Sequence, residues 1–295
     1  MKTKKNIFIA FFILSLFGLK SQNGLENIIV ETYYISDAND TLDRKFGGFL
    51  PIGSTTYRIY LDMLPEYRFY ACYGKAGHQL KIATTTTFFN NEDIGNKNPN
   101  VIPRHTLNRN SVMLDSWLSA GSAGEAYYGV LKTDDDTIGT IIHDNLFLKN
   151  KNKLAGIPLI ERDGLMAAES VPFPVFFGID QLTNVFYNQT ISGSFSTVDG
   201  AWGCLGGAVG RDSLGTNRLL IAQFTTTGDL SFELNLQIGK RNYAPEYFVA
   251  SQPLADEYML PCLKYNSKKR SLVNAKKGQE LSKKNEVTKH KQSTK

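Results

Sequence analysis

Asp134, Asp135 and Asp136 stand in a row before Thr137, and Asp37-Ala38-Asn39-Asp40 forms a second acidic cluster upstream. Carboxylates massed in a loop suit Ca²⁺, a hard cation that takes about six to eight oxygen ligands and is abundant outside cells. Neither run has the D-x-[DN]-x-[DN]-G spacing of a calcium loop, and an acidic run is usually a solvated turn. Glycoside hydrolysis needs two carboxyls facing each other across roughly 5–10 Å. Asp115, Glu92, Asp93 and Glu161 are candidates because they flank expected strands, but nothing in their spacing pairs them. Trp117 and Trp202, the two tryptophans, can stack on sugar rings if their faces are open. Trp117 alternates with Asp115 rather than with Leu114 and Leu118, which aims it away from the leucine face. Trp202 follows Gly200-Ala201, where a turn is expected. Core burial is the stronger reading for both, since large aromatics are mostly buried.

Other chemistries are excluded by spacing. In Ala120-Gly121-Ser122-Ala123-Gly124 the residue two before the serine is alanine, where a nucleophile elbow needs glycine. His78, His105 and His143 lie far apart with no metal-ligand spacing. The glycines of 203–210 (GCLGGAVG) miss both the P-loop and the G-x-G-x-x-G pattern and are expected to be bulge and turn glycines between strands. Cys72, Cys204 and Cys262 are an odd number, so at most one internal bridge can form.

The elements that must position these residues are strands. Over 55–63, Tyr57, Ile59, Leu61 and Met63 alternate with Thr56, Arg58, Tyr60 and Asp62, the period of a sheet with one buried face. Residues 230–238 repeat the pattern with Phe232, Leu234, Leu236 and Ile238. The more continuous apolar run 218–224 suits a strand covered on both sides. Thr227-Gly228-Asp229 between them predicts a hairpin. Further strands are expected at 28–35, 67–73, 80–89, 112–119, 126–131 and 137–142. Shorter ones are expected around 157–160, 173–179, 183–187 and 192–198. The polar stretch 90–111 is expected to be a long loop, a place for binding or mobility. The fold class this predicts is all-β, an antiparallel β-sandwich, as a single large domain or two packed sandwiches.

Charge divides the chain. Of 33 basic and 28 acidic residues, four basic ones fall in 1–21 and eleven in 264–295, leaving 18 basic against 26 acidic residues over 22–263. Residues 1–21 have the layout of a secretory signal: Lys2, Lys4 and Lys5, then an apolar stretch over 6–19, too short for the roughly 20 residues that span a bilayer. No later segment is long enough to span, so a soluble domain is expected over 22–263 and a disordered basic tail over 264–295. Lys268, Lys269, Lys276, Lys277, Lys283 and Lys284 recur as pairs and suit an anionic surface polymer, without sequence-specific reading of nucleic acid.

One ordered set of segments carries a resemblance: GLENIIVETYYISDAND (24–40), LPIGSTTYRIYLDMLP (50–65), LKIATTTTFFNNED (80–93), VMLDSWLS (112–119), GAWG (200–203) and NRLLIAQFTTTGDLSFELNLQIG (217–239). Together they resemble a group of exported β-sandwich proteins of Bacteroidetes. The resemblance implies a secreted or surface-displayed protein and no particular activity. Many such proteins end in a type IX secretion sorting domain, where this chain has its lysine tail. The expectation is a non-enzymatic binding or structural module, with a carbohydrate-binding domain or glycan-active hydrolase as the alternative.

Overall fold

The computed structural model describes residues 23–36, 48–107, 111–135, 164–187 and 193–268. Within them the chain is all-β, built from antiparallel sheets with one parallel strand pair. The expected leader, the expected strands at 137–142 and 157–160, His143 and Glu161 lie outside the described residues.

The central sheet runs β1 (Leu25–Ile35), β2 (Thr55–Met63), β12 (Arg218–Thr226), β5 (Trp117–Leu118). Facing it is a layer made of two sheets. One has the order β10 (Ser194–Thr197), β4 (Leu80–Thr84), β13 (Leu230–Glu233), β17 (Lys264–Asn266). The other has the order β16 (Glu257–Met259), β15 (Glu246–Val249), β14 (Leu236–Lys240), β3 (Tyr67–Tyr73), β11 (Ala201–Ala208), β9 (Val175–Phe177). The two are halves of one bent surface, because β13 pairs β4 and β14 pairs β3. At the bend Asn235 repairs the broken ladder: its side-chain amide donates to the carbonyls of Tyr73 and His78 (2.9 and 3.0 Å). The main core lies between the layers. One register row, Phe176–Trp202–Cys72–Leu236–Phe248, crosses five strands of the larger sheet. Phe88, Phe186, Phe195 and Phe224 close one end, with ring centroids 5.3 to 5.9 Å apart.

A third layer covers the other face of the central sheet. It comprises the loop turns of 90–107 and 111–114 and a small sheet, β6 (Ser122–Gly124), β7 (Tyr127–Gly129), β8 (Leu165–Ala167). Ile102, Leu107, Val112, Met113, Tyr127 and Leu165 pack on Tyr60, Trp117 and Leu220. Thr56, Arg58 and Tyr60, expected to face water, are therefore buried, and β2 has two covered faces rather than one. The continuous run of β12 is covered on both sides, as its composition suggests.

Burying Arg58 demands partners. Its guanidinium lies 3.5 Å from the Tyr33 ring centroid, and donates to Gln223 Oε1 and to the Gly164 carbonyl, both at 2.8 Å. Gln223 in turn donates to the carbonyls of Met113 and Asp115. Burial pushes the nearby Glu31 carboxyl up, although Arg58, the Lys132 amide and the Lys132 ammonium pull against it.

Several expected elements are different in the structure. In place of the strand expected over 112–119, Val112–Leu114 forms a 3-10 turn and only Trp117–Leu118 pairs as a strand. The run 218–238 is not a hairpin. Both edges of β12 are taken by β2 and β5, and those of β13 by β4 and β17, so the 227–229 turn carries the chain between layers. Hydroxyls of Thr84 and Thr86 bond Thr226 there (2.6 and 2.9 Å). Residues 183–187 belong to a 3-10 turn, Leu182–Phe186, which drives Val185 and Phe186 into the core. The loop from residue 90 is not open. Its asparagines form successive Asx turns, with Asn91, Asn96 and Asn98 each accepting from the backbone two residues on. Finally, β17 extends the folded part beyond residue 263, and Lys268 is the last described residue.

Removing a buried cation from such a network leaves its acceptors unmet. Arg58→Ala should lower the unfolding free energy by about 3 kcal/mol or more, read as a shift of the urea midpoint. An unchanged midpoint would show that the buried network is dispensable.

Candidate functional site

The residues singled out in the sequence do not converge. Trp117 does point away from Leu118, but the third layer covers it, leaving 1% of its surface exposed. Trp202 sits inside β11, not at a turn, and is fully buried, its indole N–H donating to the Ser119 carbonyl at 3.2 Å. Neither offers a face to a sugar. Asp115 is wholly buried and acts as a backbone clamp: its two oxygens accept from the amides of Asn91 (2.7 Å) and Asn96 (3.0 Å). Burial pushes its carboxyl well above the usual range, and those two N–H bonds oppose the rise. A β-carbon on Gly95 would lie 2.5 Å from that carboxylate, which explains the glycine.

Asp134 and Asp135 diverge. Both oxygens of Asp134 accept from Arg218 Nη1 at 2.8 Å, while Asp135 accepts from the Gly164 amide at 3.0 Å. Asp136 and the 37–40 cluster lie outside the described residues. Among the described residues no three His, Cys, Asp or Glu side chains are placed to hold a metal ion. Glu92 and Asp93 are exposed. Asp62 and Asp134 do meet, on Arg218, whose Nε lies 3.3 Å from Asp62. A carboxylate locked to a guanidinium on both oxygens is a poor base or nucleophile. Ser122 is buried with its hydroxyl given to the Gly124 carbonyl. His78 pairs with Glu257, which also takes Lys75 and the Leu254 amide, tying β16 to the β3–β4 turn. Gly206 and Gly207 lie in the bulge of β11 at φ near +80°, while Gly203 pairs in register with Ala71 and Val175. Cys72, Cys204 and Cys262 are free thiols. Of the tail lysines, Lys268 is exposed, and Lys269, Lys276, Lys277, Lys283 and Lys284 lie outside the described residues.

What the fold does assemble is a cationic cleft of about 400 Å³ at the end of the sandwich where three connections meet. These are the β2–β3 turn (64–66), the β11–β12 loop (209–217) and the β14–β15 turn (241–245). Asn217 fixes their relative positions. It is fully buried, accepts from the Gly210 amide at 3.0 Å and donates to the carbonyls of Leu64 (2.7 Å) and Tyr67 (3.0 Å). Asp212 caps the amides of Gly215 and Thr216, and the Glu66 amide donates to the Ser213 carbonyl. Tyr67 braces the floor: its hydroxyl donates to Glu246, whose other oxygen accepts from the Gly24 amide, both at 2.8 Å. Burial, and then Glu246, push the Tyr67 phenol up to about 12, so it stays a donor.

Arg68, Lys240 and Arg241 line this cleft against one carboxylate, Glu66. Arg68 spends one long bond on the Gly207 carbonyl (3.3 Å). Gly207 is required there, since a β-carbon would come within 2.8 Å of Arg68. Lys240 shares its ammonium between Glu66 at 3.3 Å and the face of Tyr67 at 5.2 Å. Such an exposed pair contributes less than about 1 kcal/mol and yields readily to a ligand. Two apolar groups project at the rim, Leu214 at 77% and Tyr243 at 75% exposure. None of these residues was singled out in the sequence. The one available signal is Lys240-Arg241-Asn242-Tyr243, a basic and aromatic turn within an acidic body.

Asp115→Asn should cost about 1–3 kcal/mol of stability, because the amide's NH₂ would face a backbone N–H where an oxygen now accepts. Polymer binding should be unaffected in the folded variant. Binding lost without loss of stability would return Asp115 to a functional role.

Comparison with known proteins gives no match to a family model, a curated protein or a solved structure.

Proposed function

We propose that this chain is an exported, non-enzymatic β-sandwich module that binds an anionic surface polymer through its cationic loop-end cleft. The cleft is the observation that carries the reading. Three cations face one carboxylate there, on a body with 18 basic and 26 acidic residues over 22–263. A local field opposite in sign to the whole attracts a polyanion to one place and discourages it elsewhere. The exported location rests on the signal-like residues 1–21 and on the resemblance to exported proteins of Bacteroidetes. The basic tail adds a second, non-specific attraction that salt screens.

The hydrolase alternative has less support. The carboxylates that do meet, Asp62 and Asp134, are both tied to Arg218.

The test is retention on immobilised polygalacturonate and, separately, on immobilised dextran sulfate across a salt series, with retention on at least one of them expected. The triple variant Arg68→Ser, Lys240→Ser, Arg241→Ser should keep its melting temperature and lose affinity. Its log–log salt slope should be shallower by about two. A chain ending at Lys268 preserves β17 and should lose a separate, additive share. Unchanged retention in the triple variant would place binding elsewhere.

A further inference from the structure

We infer that the unit held in the cleft is an acid-bearing pyranose, a uronic acid residue of an extracellular polysaccharide. This rests on the reading of the cleft as a polyanion site and names the ligand's chemistry. The argument starts from what the cleft offers besides charge. Tyr243 presents a ring 75% exposed and Leu214 an aliphatic group 77% exposed, flanking a space of about 400 Å³. Large exposed apolar groups at the rim of a polar cleft suit a ligand that is flat and partly apolar, which a pyranose face is. A phosphate or sulfate ester alone has no such face.

The charged groups narrow the choice. Arg68 and Arg241 carry planar forks that match a carboxylate with two parallel bonds, a geometry an ammonium cannot reproduce. Arg68 is held by the Gly207 carbonyl through one nitrogen, and Arg241 stands exposed on the 241–245 turn. Glu66 lies in the same cleft beside Lys240. A carboxylate there repels a densely sulfated chain but accepts hydrogen bonds from hydroxyls, and Ser213 adds a second hydroxyl partner. One negative charge and several hydroxyls on a ring satisfy the whole set. Neutral sugars leave the arginines unmet, and a polyvalent ester leaves Glu66 opposed.

The cleft is built to keep these groups in place. Lys240 ends β14 and Arg241 follows it, and Tyr243 sits on a turn closed by its amide donating to the Lys240 carbonyl at 3.2 Å. Asn242 takes a positive φ of 68° in that turn, a conformation asparagine tolerates. Lys240, Arg241 and Tyr243 therefore lie within four residues of one another, and Arg68 joins them from β3, which pairs with β14.

The experiment is calorimetric titration of the full mature chain with trigalacturonate and triglucuronate. The neutral trisaccharides and a dextran sulfate of similar length serve as comparisons. At least one uronate should bind and its neutral counterpart should not. Tyr243→Ala should weaken binding about tenfold while Tyr243→Phe retains it, because stacking needs the ring and not the hydroxyl. Arg68→Lys should weaken it about fivefold with the charge preserved. If dextran sulfate binds as tightly as the uronates and Tyr243→Ala changes nothing, the sugar assignment is wrong and the polyanion reading stands. If dextran sulfate and both uronates fail to bind, both are wrong.

Discussion

β2 and β12 lie between two packed layers, where each unpaired backbone N–H or carbonyl costs about 1–3 kcal/mol. Their ladder accordingly runs from Asp62–Arg218 to Thr55–Thr226 with a single bulge, and β1 and β5 complete it on either side. The main core can form on one face only because the third layer forms on the other. Otherwise Tyr60, Trp117 and Leu220 would be left in water. A chain of polar groups caught beneath that layer is paired: Arg58 with Tyr33 and Gln223, Gln223 with the carbonyls of Met113 and Asp115, Asp115 with two amides. Buried networks of this sort specify a single arrangement because a partly met one is worse than none.

The same strand pair also determines where the cleft falls. Asn217 precedes β12 and Leu64 follows β2, so the end of the ladder brings the two connections together, and the Met63 amide donates to the Asn217 carbonyl at 3.4 Å. Asn217 then converts that meeting into a fixed shape by satisfying three backbone groups with one side chain. The β14–β15 turn joins from the neighbouring sheet and supplies Lys240, Arg241 and Tyr243. The cleft thus lies at the loop end of a rigid scaffold, with Arg68 from the start of β3 and Lys240 and Arg241 from the end of β14 and the turn after it.

Local strand patterns were legible in the sequence, and pairing between them was not. The strand at 67–73 was expected within the observed bounds, and 55–63 alternated as expected, because side-chain period is a local property. Whether the second face of that strand meets water depends on residues 99–107, 111–131 and 164–167 folding back over it, which no local period records. The hairpin expected across 227–229 failed for the same reason. Turn chemistry identified the turn, but edge occupancy decided that it joins two layers. Trp117 shows the limit most clearly. Its direction relative to Leu118 could be read from alternation, and its burial could not. The cleft was invisible because Arg68, Lys240 and Arg241 are brought together by sheet topology, with only the 240–243 turn hinting at it.

The most direct measurement is amide chemical-shift mapping of the labelled chain during titration with an oligouronate. The account predicts perturbations confined to three segments, 64–68, 207–217 and 239–245, with the amides of the third layer around Asp115 and Trp117 unmoved. Shifts centred on the third layer, or spread evenly over the surface with none at the three connections, would contradict it.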